Sequence, residues 1–503
     1  MSTWSRYPRW FATLFLTDMW ERFSFYGMQA ILVLYAVTPA DRGGLGLPAP
    51  TAAALFGAYM ATVFLLAQPG GWLGDRVLGE RRAIMYGGGL ITAGHACMAL
   101  PVTGSAYAGL TLIAIGTGLL KPSLSALLTR FYGEAVKREA AFSIFYMSIQ
   151  VSAMLAPLVT GFLGEYVSWH AGFGAAAVGM AFGVVQFARG ARHFAGQGDR
   201  PARPASSAEL AVLYRRVAVA GAVAAVLVTA DVVSGAFSIE HVLMVLGLIS
   251  LVAPPLCLRA LKRHPAMSPG DRKRLGAATW LLLSSALFWM VVSQAGSLLS
   301  LFARDHVDRS VGGFTVPTGW LQSTTPLVIL VVAPAFAWTW LRLGDRWGVR
   351  QKFVLGLLLA GSSFVVMFGA ATSAGAGRVP IVWLLAVFFL QACGEIALGP
   401  VGLSAVADAA PPAFRVRMMG LYWLFVAFGA SLGSIVVRLS ATISPAAYYL
   451  IVGTALLASA VAMALFGRGV SRQFAAKRTE LRESPPFVLT SIAHQSVSHQ
   501  EER

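Results

Sequence analysis

Apolar residues run along this chain in long blocks, separated by short polar segments rich in arginine. Blocks fall near 10–37, 52–73, 83–102, 106–128, 141–164, 168–188, 211–230, 239–259, 276–302, 322–341, 353–372, 380–400, 417–437 and 446–467. A helix needs roughly 20 consecutive apolar residues to cross the hydrocarbon core of a bilayer. The pattern therefore predicts an all-α polytopic membrane protein with about 14 transmembrane helices. The first block departs from it. Asp18, Glu21 and Arg22 stand inside that block. Each such charge costs at least roughly 2.5–3.5 kcal/mol near the bilayer centre, so the three require partners or a water-filled cavity. On a helix they crowd one face, with Tyr26 a turn further on. Two acids around one arginine form a group that can hold or release a proton, because protonating a carboxylate loosens its hold on the arginine.

Composition agrees with the pattern. The chain has 503 residues, 57% of them hydrophobic and 12% charged, with a mean hydropathy of +0.68. A secretory signal would not tolerate the charges of the first block, so that block is read as a spanning helix. The net charge of +17 does not point to nucleic acid. Its basic residues occupy alternate short loops and the tail, as positive-inside topology requires, and this places both termini in the cytoplasm. Cys97, Cys257 and Cys393 lie in apolar blocks without paired spacing, so neither a disulfide framework nor a metal site is expected. No motif of an enzyme or a nucleotide-binding loop is present, and no cofactor is expected.

An internal repeat divides the chain. Leu73-Gly74-Asp75-Arg76 follows the second block and Leu343-Gly344-Asp345-Arg346 follows the tenth. Asp75, Arg76, Asp345 and Arg346 thus form a recurring turn that sets charge at a helix end. Two copies in register indicate two parallel six-helix halves, the architecture of major facilitator transporters. The expected division is an N-terminal bundle over 1–190, a linker with an inserted transmembrane hairpin over 191–274, a C-terminal bundle over 275–468 and a cytoplasmic tail over 469–503. The hairpin, poor in interior charge, is assigned a peripheral packing role. Within the tail, 475–482 reads as a short amphipathic helix and the rest as disordered.

Two further ionisable side chains lie inside apolar blocks. Lys121 follows Gly116-Thr117-Gly118, where glycines permit close helix approach, and precedes Pro122, which frees a carbonyl. Glu395 stands beside Gly394, Gly399 and Pro400 in the second half. A cavity with Arg22 and Lys121 on one wall and Glu395 on the other suits a zwitterion, carboxylate to the bases and amine to the acid. His95 is read as a structural histidine.

The motifs Asp18-x-x-Glu21-Arg22-Phe23-x-Phe25-Tyr26-Gly27, Gly116-Thr117-Gly118-x-x-Lys121-Pro122, Phe142-Ser143-Ile144-Phe145-Tyr146-x-Ser148-Ile149, Phe288-Trp289 through Ser297, and Gly394-Glu395 through Leu403 resemble the proton-dependent oligopeptide transporter family. The resemblance spans nearly the whole chain, including the extra hairpin of bacterial members. It implies a major facilitator fold and proton-coupled symport. It also implies that Arg22 and Lys121 serve carboxylate binding and coupling, that Glu395 takes the peptide amine, and that Tyr26, Trp289 and Trp423 line the pocket. Gln150 and Thr325, like Ser123, stand where that family usually has asparagine. The chain contains no asparagine at all, so compositional drift accounts for part of this. Asp18 replaces a glutamate, Phe25 and Phe64 replace tyrosines, and Ser293 replaces an acid tied to coupling. Either coupling rests on Asp18 and Glu21 alone, or substrate and coupling differ.

The expected function is proton-coupled import of di- and tripeptides by alternating access in a bacterial inner membrane, with the protein working as a monomer. The alternative is proton-linked transport, efflux included, of another small molecule such as a peptide-like metabolite or drug. A membrane sensor with a transporter fold is a third reading. The expected partners are protons, small peptides and the lipid bilayer.

Overall fold

The computed structural model describes residues 8–467 except 103, 132–134, 202–203, 345–346, 410 and 412–413. The repeat's second copy, Asp345 and Arg346, and the tail helix read over 475–482 lie outside the described residues. Fifteen α-helices are described: α1 (Arg9–Val37), α2 (Ala49–Leu73), α3 (Glu80–Met98), α4 (Ser105–Phe131), α5 (Ala135–Tyr166), α6 (Trp169–Gly190), α7 (Ser207–Val233), α8 (Ile239–Lys262), α9 (Pro269–Val292), α10 (Leu298–His306), α11 (Thr324–Leu343), α12 (Val349–Ser373), α13 (Val382–Asp408), α14 (Arg415–Val436) and α15 (Pro445–Phe466). They make fourteen crossings, because α9 and α10 are two pieces of one crossing, broken by a 3₁₀ turn at Ser293–Gly296.

Twelve spans are long and apolar enough to cross a membrane by composition alone. Helices α1 and α3 are not among them. Three buried ionisable side chains dilute the apolar character of α1, and Glu80-Arg81-Arg82 opens α3. Both are nonetheless interior: α1 packs on α5 and α6, and α3 packs on α4 and α6. Packing inside a bundle, not hydropathy, keeps these two in the membrane.

Helices α1 to α6 share one buried core, α9, α10 and α12 to α15 another, and α11 packs on α13 and α5. The glycines before Lys121 act as their spacing suggests. A methyl group on Gly118 would meet the backbone of Leu66 on α2 at 2.8 Å, and one on Gly116 would meet Ile91 of α3 at 2.8–2.9 Å. Small residues are what let α4 lie this close to both neighbours.

The inserted hairpin departs from its expected peripheral role. Helix α7 matches that expectation, with no buried residue. Helix α8 instead packs against both α2 and α14, one from each bundle. Its buried Leu243, Gly247, Ser250, Pro254, Leu258 and Leu261 recur at helical spacing and form the stripe that does so. Thr51 of α2 donates to Glu240 at 2.7 Å.

The first Gly-Asp-Arg segment is not a tight turn. The helix runs on through a π-helical turn at Gly74–Leu78 and breaks at Gly79, whose φ of 78° suits glycine. Arg76 then reaches Glu209 at the start of α7 through two hydrogen bonds of 2.9 and 2.7 Å. Asp75 is exposed.

The two ends of the molecule differ. We call the end bearing the start of α1 the terminal end and the other the distal end. At the distal end the bundles are stitched together. Trp320 Nε1 donates to Leu158 O at 2.8 Å, Ser323 Oγ to Met154 O at 2.7 Å, and Tyr166 Oη to Thr315 O at 2.5 Å. Gly161 and Gly319 lie backbone against backbone. Toward the terminal end, among the described residues, no hydrogen bond or ion pair joins α4 or α5 to α11 or α13. Tyr146 of α5 remains 38% exposed on that side.

Candidate functional site

The ionisable side chains of α1 meet those of α4 near mid-membrane. Arg22 donates through Nε and Nη2 to Glu21 Oε2 and Oε1 at 2.6 and 2.5 Å. Lys121 Nζ donates to Asp18 Oδ1 at 2.6 Å and stands 3.7 Å from Glu21 Oε2. Ser148 Oγ of α5 donates to Asp18 Oδ2 at 2.9 Å. Two acids and two bases thus form a closed, neutral set with Glu21 at 0% and Asp18 at 2% exposure. Charges this deep persist because each is paired and hydrogen-bonded.

This corrects the expectation of two acids around one arginine. Arg22 pairs with Glu21 alone, and Asp18 turns to Lys121 and Ser148. The reason is reach. Adjacent Glu21 and Arg22 have side chains long enough to bend together, whereas Asp18 is short and its helix face points at α4 and α5. The fourth member, Lys121, is 29% exposed along its side chain, so the cluster opens to the cavity through the lysine.

Aromatic rings frame the cluster. The Arg22 guanidinium lies 4.5 Å from the Phe25 ring centroid and 5.9 Å from that of Tyr26, a cation–π arrangement. Glu395 has no ion pair or hydrogen bond among the described residues, in contrast to the acids of α1. Gln150 is buried on α5 beside Tyr146, and Thr325 is half-buried at the start of α11. Trp289 lies on α9, and its Nε1 and the Ser285 hydroxyl both face the hydroxyl of Tyr422, at a spacing looser than a full hydrogen bond. Trp423 stacks on Phe64 across the α2–α14 contact, with centroids 5.6 Å apart and planes within 7°. It closes the bundle interface toward the terminal end and does not sit in the central cluster.

Of the six residues the sequence singles out for one region, the fold joins Asp18, Glu21, Arg22, Lys121 and Tyr26 by direct contact, and Glu395 stands apart on α13. Sequence reasoning passed over Ser148 and Ser285. Ser148 was within reach, because it stands in the motif shared with Phe145 and Tyr146. Ser285 carries no signal beyond lying one helical turn before Trp289. His95 is fully buried and neither ring nitrogen has a hydrogen-bond partner; nothing in the structure explains it.

A family model described as the POT family matches residues 81–451. The chain belongs to the POT family. The relatives it resembles cover most of its length. It is 36% identical over 431 residues to a di-/tripeptide transporter of Lactococcus lactis subsp. cremoris, covering 83% of this chain and 86% of the relative. It is 36% identical over 442 residues to the peptide transporter YePEPT of Yersinia enterocolitica, covering 83% and 84%. An uncharacterized transporter of Bacillus subtilis, YclF, is 35% identical over 455 residues, covering 89% and 91%. Among solved structures, a peptide transporter POT in complex with sulfate superposes with a TM-score of 0.89 at 37% identity, covering 93% of this chain and 96% of that one. A POT family transporter in complex with 5-aminolevulinic acid gives 0.88 at 29% identity, covering 92% and 97%. The major facilitator fold expected from the repeat is therefore the fold observed. This POT-family chain is a multi-pass membrane protein of a bacterial transporter family.

Proposed function

We propose that this POT-family chain imports di- and tripeptides together with protons by alternating access. The observation that carries the reading is the pairing of two unlike walls. A neutral, fully paired set of Asp18, Glu21, Arg22 and Lys121 lies on the first bundle, and Glu395, unpaired among the described residues, lies on the second. A peptide's carboxylate competes with Asp18 and Glu21 for the bases, and its amine supplies the counter-ion that Glu395 lacks. A proton taken by either α1 acid frees a base for that carboxylate, which ties proton uptake to substrate binding. Ser148, Tyr26, Gln150 and Thr325 are positioning and binding groups in this scheme. Trp289 offers its indole N–H, now turned toward the Tyr422 hydroxyl.

In this reading the membrane is the bacterial inner membrane, and the basic loops hold the terminal end in the cytoplasm. The conformation is then closed to the outside and open to the inside. The working unit is a monomer with bundles over 1–190 and 275–468. The test is uptake of labelled dialanine into proteoliposomes under an imposed inward proton gradient. Accumulation that an uncoupler collapses supports the reading. No accumulation by folded, inserted protein refutes it and shifts the substrate to another zwitterion. The compound bound by the 5-aminolevulinic acid relative is the next ligand to try.

A further inference from the structure

The distal seal contains, among the described residues, the one ion pair that joins the two bundles. Glu165 ends α5 in the first bundle. Its Oε2 accepts from Arg309 Nη1 at 3.4 Å and from Thr318 Oγ1 at 3.1 Å, and its Oε1 accepts from Gly319 N at 3.1 Å. All three donors belong to the second bundle's distal segment. That segment comprises a hairpin of β2 (Ser310–Val311) and β3 (Phe314–Thr315) and a 3₁₀ turn at Thr318–Ser323. Arg309 in turn donates to Val316 O at 2.5 Å and so holds the hairpin to the turn. The arginine's Nε has no partner, and among the described residues Glu165 is the one anion paired with it.

We propose that Glu165 is the proton-operated latch of the distal gate. Ionised, its carboxylate accepts three donors from the opposing bundle and neutralises Arg309. A proton from the distal solution converts it to a carboxylic acid. Arg309 then loses its counter-ion, and one oxygen becomes a donor facing donors. What is left of the seal is neutral: the bonds from Tyr166, Trp320, Gln322 and Ser323 and the glycine contact between Gly161 and Gly319. The gate then opens to the side from which the proton came. The break in α9 cannot do this work, since Ser293 and Gln294 bond only within their own bundle, to Met290 O and to Tyr448. Glu165 is a positioning residue, distant from the Asp18–Lys121 cluster.

Few other titratable groups face Glu165. Arg309 is its ionisable partner from the hairpin. The 3₁₀ turn presents only Thr318, Gly319 and Trp320, and Tyr166 follows on its own helix. His170 of α6 is turned to Met98 O at 3.0 Å and to the Tyr35 ring. Arg304 and Asp305 pair with each other at 2.7 Å, and Asp308 accepts from Ser310 N at 3.0 Å.

This inference rests on the proton-driven reading above, and its test is independent of substrate. The full chain, with Cys97, Cys257 and Cys393 replaced, carries nitroxides at Val102→Cys and Val382→Cys. These two exposed distal positions, one per bundle, are not among the latch's hydrogen-bonding residues. Electron–electron distance distributions are recorded in liposomes from about pH 7.5 to about pH 5, where one titrating group changes the open-to-closed ratio by at most about tenfold per pH unit. The parent is expected to gain a longer distance on acidification. Glu165→Gln is expected to show that distance at both pH values with no pH response. Arg309→Gln, which removes the partner and spares α5, is expected to raise the long population at neutral pH by roughly tenfold. It decides the matter should Glu165→Gln fail to fold. A parent with no pH response, or a Glu165→Gln response equal to the parent's, overturns the latch. Failed dialanine uptake with an intact distance response counts against the peptide reading alone.

Discussion

Lys121→Met tests whether the ionic cluster holds as a set. The substitution keeps most of the side-chain length and removes the charge. Asp18, at 2% exposure, then retains only the Ser148 hydroxyl at 2.9 Å. Removing one partner of a fully buried pair costs about 3–5 kcal/mol, whereas an exposed pair is worth about 0–1 kcal/mol. Asp18 belongs to the first class and Lys121, at 29% side-chain exposure, stands between them, so the expected loss is about 2–3 kcal/mol. Asp18→Asn removes the other partner and leaves Lys121 with Glu21 at 3.7 Å, so it is expected to cost less. The double variant Asp18→Asn/Lys121→Met leaves no unpaired charge and is expected to recover most of the loss. Unfolding titrated with SDS in mixed micelles, run on all four proteins, measures the coupling. A coupling of at least about 1 kcal/mol is expected, because residues in one ion-pair network are not additive. Additive single effects, or a Lys121→Met protein within about 0.5 kcal/mol of the parent, would show that Asp18 does not depend on Lys121. The charge balance drawn for the site would then fail.

Three further outcomes follow from the geometry. Glu21→Gln leaves Arg22 without its two-bond partner and is expected to abolish gradient-driven accumulation of dialanine. Counterflow is expected to stay within about threefold, a change of under 1 kcal/mol; full concentrative uptake by this variant would remove Glu21 from coupling. Glu395→Gln takes the free carboxylate from the second wall and is expected to weaken dipeptide binding by roughly tenfold or more, the worth of one charged hydrogen bond. An N-acetylated dipeptide, which has no amine charge, should be indifferent to the change, and equal losses for both ligands would refute the assignment. Gly118→Val places side-chain atoms against the Leu66 backbone, which already lies 2.8 Å from a built methyl group. It is expected to force α2 from α4 and lower the melting temperature in detergent by several degrees, while Gly89→Val, at a position with open space, should not.

Much of the site could be found before any coordinates, for a definite reason. A charged side chain in an apolar block has few bland explanations, so Asp18, Glu21, Arg22, Lys121 and Glu395 stood out one by one. Partner choice was not legible. Asp18 and Arg22 have the spacing of a helix pair, yet the arginine takes the adjacent Glu21 and the aspartate takes a lysine 103 positions away. Ser148 matters only because α5 happens to present it to that aspartate. Trp423 was placed in the pocket by resemblance, and its stack on Phe64 depends on how α2 meets α14.

Apolar length by itself determined twelve of the fourteen crossings, and the recurring Gly-Asp-Arg segment pointed to two halves, because the bilayer imposes length and charge rules that act locally along the chain; α1 and α3 needed their packing partners. Tertiary structure alone decided which end is sealed. The distal stitching by Glu165, Trp320 and Ser323 joins residues more than 140 positions apart. It also decided that α8 bridges both bundles. Contacts of this kind depend on the angle between rigid bundles, a quantity that no local pattern of apolar and polar residues encodes.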